Sequence, residues 1–325
     1  MSGKKPKIQN QSTKGDTVIA ALPFACQDDK AAVEFIEKQR WGDKPFCPLC
    51  GGFEVHQMKD SKTGERQANF RWRCHDCKGQ YTVRKGTVLE DSAIPLKHWC
   101  FGFWRAATSK KGVSALEIHR QTGLSYKSSL FLLHRIRYAM AGTPFDPMGG
   151  EGKYIEADET YVGRKPGANK RRGYGHKNAI VSLVERGGGV RSFHVPNVTA
   201  KTIKDVLLAQ VSPSSQLMTD QAKQYIKVGR QFARHEWVNH VQDEWARGDA
   251  HTNTVEGFFS LLKRGLNGIY HNVSAAHLHR YLAEFDFRYT NRDLSDGQRT
   301  ALAIKQSEGK RLCYAAPVQK AEKCN

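Results

Sequence analysis

Two kinds of residue in this chain have spacing that could do chemistry. The first is a set of cysteines, C47PLC50 and C74HDC77, two Cys-x-x-Cys knuckles 23 residues apart. Each knuckle offers two thiolates, and four thiolates make a closed tetrahedral Zn²⁺ site. Cys47, Cys50, Cys74 and Cys77 leave no open coordination position, so the expectation is one structural zinc rather than a catalytic one. The second is a set of acids: Asp158 in IEADETYVG, Asp220 at the end of LMTD, and Glu256 in HTNTVEGFFSLLKRG. Acids from two strand ends and a helix can converge at one sheet edge and hold two Mg²⁺ for in-line phosphoryl transfer. Each also has an ordinary reading. Glu256 fits position N3 of a capping box behind Asn253, and Asp220 fits a helix cap. Asp158 has two rivals on its own strand, Glu156 on the same face and Glu159 on the other.

Elements must position these groups. The chain divides into a lead-in (1–40, with a helix around Asp28–Arg40), a cysteine-bearing ribbon (41–90), a helical region (91–145), an α/β region (151–295) and a C-terminal tail (296–325). The Gly/Pro-rich GTPFDPMGGEG at 142–152 separates the helical and α/β regions. KYIEADETYVG, NAIVSLVERGGG and VRSFHVPNV read as three strands, AKTIKDVLLAQV as a helix, QLMTDQ as a buried strand, and His251 to about Arg292 as helical. That alternation predicts an α/β domain, a mixed sheet flanked by helices. On the last helical stretch, Glu256, Ser260 and Lys263 share one face, while Val255, Phe258, Phe259, Leu262 and Leu266 form an apolar stripe.

The charge balance narrows the partner. With 51 Lys+Arg against 32 Asp+Glu, the formal net charge is +19, which suits a polyanion. No stretch approaches the 18 apolar residues of a membrane span, so no membrane partner is expected. The paired cysteines suit a reducing cytoplasm. Within SALEIHRQTGLSYKSSLFLLHRIRYAM, two helices joined at Gly123 match a helix-turn-helix, with Ser125 as N-cap of the second. This predicts Tyr126, Lys127 and Ser129 at a DNA groove, and Arg135 and Arg137 on its backbone. Arg71 and Arg73, beside aromatics in F70RWRC74, suit a DNA-contacting ribbon. The loop G163RKPGANKRRGYGHK177 carries six Lys/Arg, among them Lys170, Arg171 and Arg172, and suits a DNA clamp; it holds no Walker A pattern. Arg288 and Arg292 are placed near DNA on a helix read mainly as core.

IEADETYVGRK, MTDQAKQY and VNH…HTNTVEGFFSLLKRG, in that order and behind two cysteine knuckles, resemble the IS1595-type (ISXO2-like) bacterial insertion-sequence transposases with an N-terminal zinc ribbon. The resemblance covers roughly residues 30–292. It implies an RNase H-like fold and a DDE-type metal site with Asp158, Asp220 and Glu256 as its acids, taking two Mg²⁺ (or Mn²⁺). Lys263 matches the lysine seven residues past the last acid, a phosphate contact, with Arg264 beside it. His251 and Asn253 match an H-x-N-x-x-E pattern and are expected to shape the site. The activity implied is metal-dependent cleavage at the terminal inverted repeats of double-stranded DNA and transfer of the freed 3′ end. It would take place in a bacterial cytoplasm, on the nucleoid, by a homo-oligomer holding two ends. Two other classes remain: a DNA-binding regulator without chemistry, and a nuclease of the same fold that does not join.

Overall fold

A computed structural model describes residues 15–142, 146–169, 173–239, 244 and 246–312. Its first half is a small ribbon embedded among helices. α1 (Thr17–Ala25) and α2 (Asp29–Trp41) lead into three short antiparallel strands, β1 (Val55–Gln57), β2 (Trp72–Cys74) and β3 (Gln80–Tyr81), with β2 in the middle. α3 (Leu96–Thr108), α4 (Ala115–Thr122) and α5 (Tyr126–Met140) follow. Ser125 caps α5 by accepting the Ser128 amide, and Gly123 closes α4 at φ 73°, as the turn between the two helices requires.

The ribbon does not stand alone. Its Trp72 and Tyr81 share one hydrophobic core with α1, α2, α3 and α5. Glu37 of α2 accepts the Trp72 indole N–H (2.7 Å) and pairs with Arg66 (2.5 Å), tying ribbon to helix through a charged hydrogen bond. Residues 296–325, expected as a tail, begin with α10 (Asp296–Lys305), which packs on α1, α2 and α3 and brings Ala303 and Ile304 into the same core. Asp16 links α1 to the start of α10. It caps α1 by accepting the Val18 and Ile19 amides and also accepts the Ser295 hydroxyl (2.6 Å) and the Gly297 amide (3.1 Å).

The second half is a five-stranded sheet. β4 (Tyr154–Val162), β5 (Asn178–Glu185) and β6 (Val190–Val195) form an antiparallel meander. α6 (Ala200–Gln210) then crosses over to β7 (Gln216–Asp220), which lies parallel to β4; α7 (Lys223–Gly229) leads to β8 (Arg234–Val238), parallel to β7. The spatial order is β6-β5-β4-β7-β8. α6 and α7 cover one face of the sheet, with Ile203, Leu207 and Tyr225 in that core. α8 (Asn253–Gly265) and α9 (Leu278–Thr290) cover the other, through Val255, Phe258, Phe259, Leu262, Leu282 and Phe285. The apolar stripe read from α8's sequence is therefore its buried face. β8 has no counterpart in the sequence reading, because R234HEWV238 is too polar to read as a strand; the helix implied after Asp220 is α7, seven residues long, with Ala222 as its N-cap.

A buried ion network holds the two halves together. Arg137 of α5 donates to Glu284 of α9 (2.6 Å), Arg288 pairs with the same carboxylate, and Tyr270 donates to it (2.6 Å). Arg135 donates to the carbonyls of Val88 and Glu90. These contacts correct the expectation that Arg135, Arg137 and Arg288 face DNA. All three are buried, and Arg137 and Glu284 are 1% and 0% exposed. Burial opposes both charges, but Glu284 together with Tyr270 and Tyr281 holds the Arg137 guanidinium above its usual range, and the two arginines hold Glu284 below the usual carboxylate range. Ser129, expected at a groove, is also buried and donates to the Ser125 carbonyl.

Candidate active site and zinc centre

β4 carries three acids, and each has different surroundings. Side chains alternate along the strand, so Glu156 and Asp158 point toward α8 while Glu159 points toward α7. Glu159 accepts the Gln224 amide (3.0 Å) and the Tyr225 hydroxyl (2.8 Å), both from α7. Glu156 is fully buried and is pinned by Arg186 (Nε at 2.6 Å). It accepts the Thr254 amide (2.7 Å), the Thr254 hydroxyl (2.8 Å) and the Val255 amide (3.0 Å). Those two amides are the N2 and N3 donors of α8, which a cap side chain normally takes. An acid of the sheet thus caps the helix, at the end where the helix dipole favours negative charge.

This arrangement replaces the capping box read from the sequence. The N-cap of α8 is Thr252, Asn253 is its first helical residue and exposed, and the Thr252 hydroxyl donates to Glu256 (2.9 Å). His251 sits against the same anchor: its Nδ1 lies 3.1 Å from Glu156 Oε1 and 3.1 Å from Arg186 Nη2. Glu156 is thereby a structural partner of α8, a role that no local signal in the sequence could reveal, since Thr254 lies 98 residues away.

Asp158 lies two residues past Glu156, and Asp220 two residues past Met218; Glu156 and Met218 are register partners on the parallel strands β4 and β7. Continuing that register sets Asp158 beside Asp220. Asp220 accepts the Ala222 amide (3.0 Å), turning the chain out of β7. The Asp158 carboxyl is pushed up to about 8, chiefly by burial, then by the negative charges of Glu159, Asp220 and Glu256, against the Glu159 amide that it accepts at 2.7 Å. Asp158, Asp220 and Glu256 thus share one electrostatic neighbourhood. They are less tightly drawn together than the cysteines: among the described residues, the four cysteines alone form a group with all ligand atoms within 4.8 Å.

In that group, Cys47 Sγ lies 3.7 Å from Cys77 Sγ, and Cys50 Sγ lies 3.7 Å from Cys74 Sγ. Tetrahedral Zn–S bonds of about 2.3 Å place sulfurs roughly 3.8 Å apart, so the spacing fits zinc. Cys47 and Cys74 are buried, and Cys50 and Cys77 lie at the surface. Gly52 and Gly79 allow the close approach: a β-carbon at Gly79 would sit 3.2 Å from Cys77 Sγ and 2.6 Å from Leu49, and one at Gly52 would meet Asp76.

The basic residues fall in several places. Arg73, on β2, and Arg71, just before it, are exposed, while Trp72 and Cys74 face inward. Lys127 is exposed at the start of α5, next to Tyr126, which is also exposed. Lys263 is exposed on the face of α8 that holds Glu256 and Ser260; Arg264, also exposed, bends back to the Ser260 carbonyl (3.0 Å). Arg292 donates to the carbonyls of Gly188 and Tyr289. Lys170, Arg171 and Arg172, and His240 of the VNH motif, lie outside the described residues.

A four-thiolate ribbon followed by a mixed sheet with an acidic edge defines a zinc-ribbon α/β protein. Residues 149–290 match the ISXO2-like transposase domain, and residues 27–80 match the transposase zinc-ribbon domain. A protein in the transposable element ISH50 of Halobacterium salinarum, itself described as uncharacterized, is 28% identical over 279 residues, covering 80% of this chain and 90% of that protein. The chain belongs to the IS1595-type, ISXO2-like insertion-sequence transposases that carry an N-terminal zinc ribbon.

Proposed function

We propose that this chain is a DDE-type DNA transposase. It binds the terminal inverted repeats of its own element, cuts the strand at the element's end and joins the freed 3′-hydroxyl to target DNA. The observation that carries this reading is the electrostatic coupling of Asp158 on β4 to Asp220 on β7 and Glu256 on α8, whose charges, after burial and Glu159, help push Asp158 up. The strand order β6-β5-β4-β7-β8, three antiparallel and the rest parallel, fits an RNase H-like fold. Ribbon (41–90), helical region (91–145) and catalytic domain (151–295) are the proposed functional units.

Oxygen ligands on three elements suit hard Mg²⁺ or Mn²⁺ rather than a soft ion. Two such ions, held by Asp158, Asp220 and Glu256, would lower the pKa of the attacking water or 3′-hydroxyl and stabilise the leaving oxygen. The chain's own residues do the rest. Glu156, Arg186 and His251 hold the start of α8, so that Glu256 faces β4. Lys263, two turns along the same face, takes a phosphate of the DNA end. Lys127 with Tyr126, Arg71 with Arg73, and the 163–177 loop supply further phosphate and groove contacts, and Arg264 lies beside Lys263. Asn253 shapes the entrance to the site. Cutting and joining two ends calls for a homo-oligomer on double-stranded DNA; among the described residues no helix is long and apolar enough to cross a membrane.

The test incubates labelled duplexes of the element's ends with the protein, Mg²⁺ or Mn²⁺ and a target plasmid, beside Asp220→Asn. Metal-dependent nicking and joining that the variant lacks is the expected result. Free ends without joined product would make the chain a nuclease, specific binding without cutting would make it a regulator, and equal activity in Asp220→Asn would discard the site.

A further inference from the structure

The buried arginines of this fold have partners. Arg40 meets Glu308, Arg66 meets Glu37, Arg137 and Arg288 share Glu284, and Arg135 has two carbonyls. Arg280, on the first turn of α9, is different. It is half-buried, and its Nε and Nη1 are shielded from solvent with no hydrogen-bond partner. Two imidazoles beside it share that condition. The His277 ring lies tilted against His134, with ring centroids 4.9 Å apart, and the Nδ1 atoms of both are buried and unpartnered. His134 packs edge-on against Tyr281 at 5.9 Å.

The local field is of one sign. His277 is held below the usual imidazole range by burial and then by Arg280; His134 is pushed down to about 3 by burial, Arg137, Arg280 and the neighbouring histidines. Among the described residues, the carboxylate that joins α9 to α5 is Glu284, already shared by Arg137, Arg288 and Tyr270. Donors shielded from water and left without acceptors are costly. A cluster of them beside an uncompensated guanidinium, at the seam where α5 meets α9, is built to receive an anion.

We propose that Arg280, with His277 and His134 behind it, is a binding site for a backbone phosphate of the DNA duplex. The phosphate docks at the seam between α5 and the first turn of α9, where Arg280 turns toward it. The site therefore lies between the residues proposed to read DNA, Tyr126 and Lys127, and the domain proposed to cut it. It rests on the DNA-binding part of the proposed function and adds a contact to it.

The test measures how affinity for an end duplex depends on salt, for wild type, Arg280→Gln and Arg280→Lys. Each phosphate contact contributes about 0.9 to the slope of log K against log salt. Arg280→Gln should lower the slope by about one and weaken binding roughly five- to tenfold at about 0.1 M salt, while Arg280→Lys keeps the slope. Wild-type slope in Arg280→Gln overturns the site and leaves the transposase reading standing. A wild type that does not bind duplex overturns both.

A second measurement needs no variant. The His277 ring is titrated by NMR, free, with duplex, and with inorganic phosphate alone. A bound phosphate raises its pKa. A rise in both ligand samples marks a general anion pocket, and a rise with duplex alone marks a site that the groove completes; either supports the proposal. An unchanged His277 overturns it.

Discussion

The ribbon and the sheet edge each gather four charged or chargeable groups, and they do so in opposite ways. In the ribbon, two knuckles present four sulfurs at 3.7 Å across each pair, so the ligands converge through local turns. At the sheet edge, Asp158, Asp220 and Glu256 come from three elements and keep apart, with Glu159 adding its charge from the opposite face. The thiolate set is compact enough for one ion to close it. The carboxylate set comes from separate elements, and its charges add to burial in pushing Asp158 up. On the proposed reading, the first site would draw its stability from metal, while the second would take its metal into a scaffold held by other contacts.

The largest expected effect comes from breaking the first. Cys74→Ser removes a thiolate from a centre whose zinc is worth about 10–16 kcal/mol in small zinc modules. Because Trp72 and Tyr81 belong to the core of α1–α3, the loss should spread beyond the ribbon. Metal analysis should fall from about one zinc per chain to none, with loss of the cooperative melt of the first half; a variant that keeps both would remove the zinc centre from the account.

Breaking the second site should act on chemistry instead. Asp220→Asn is expected to lower strand cleavage by at least about 10²–10³-fold with DNA affinity and melting temperature nearly unchanged. A matching loss of stability would mean that this acid is structural, like its neighbour Glu156.

Glu156 sharpens the contrast, since it is an acid of the same strand used for building. Glu156→Ala strands Arg186 and uncaps α8, a loss on the order of 3–5 kcal/mol by analogy with breaking other buried pairs. Urea unfolding reads it directly. A loss below about 1 kcal/mol would place it with exposed pairs.

The smallest effect concerns protons. An aspartate whose folded pKa is raised binds its proton more tightly when folded than when unfolded. In metal-free protein, Asp158 should make stability fall as pH rises from about 4, its unfolded value, through about 8. Asp158→Asn should flatten that slope and raise the melting temperature by a few degrees at alkaline pH. Mn²⁺ affinity of the wild type should climb over the same window, because the ion needs the carboxylate. A pH-independent affinity would contradict the raised pKa.

Legibility from the chain alone followed the range of each interaction. The cysteine knuckles, the strand around Asp158 and the buried stripe of α8 depend on neighbours a few residues apart, and spacing displays them. The cap of α8 does not, because its donors meet an acid 98 residues away; local pattern pointed to Asn253, and the fold used Glu156. Arg137 read as a DNA ligand because basic residues on an apparent recognition helix look alike. Its partner Glu284 is 147 residues distant. β8 is illegible because an edge strand with exposed Arg234 and Trp237 carries little apolar alternation.

The Arg137–Glu284–Arg288 network has a consequence for measurement along DNA. It rivets α5 to α9, so on the proposed reading the helix that reads the element's end and the sheet that cuts it form a single caliper. The distance from recognised base to severed bond is then a property of the folded chain. Adding one base pair to the DNA between them should cost activity instead of being absorbed by a hinge.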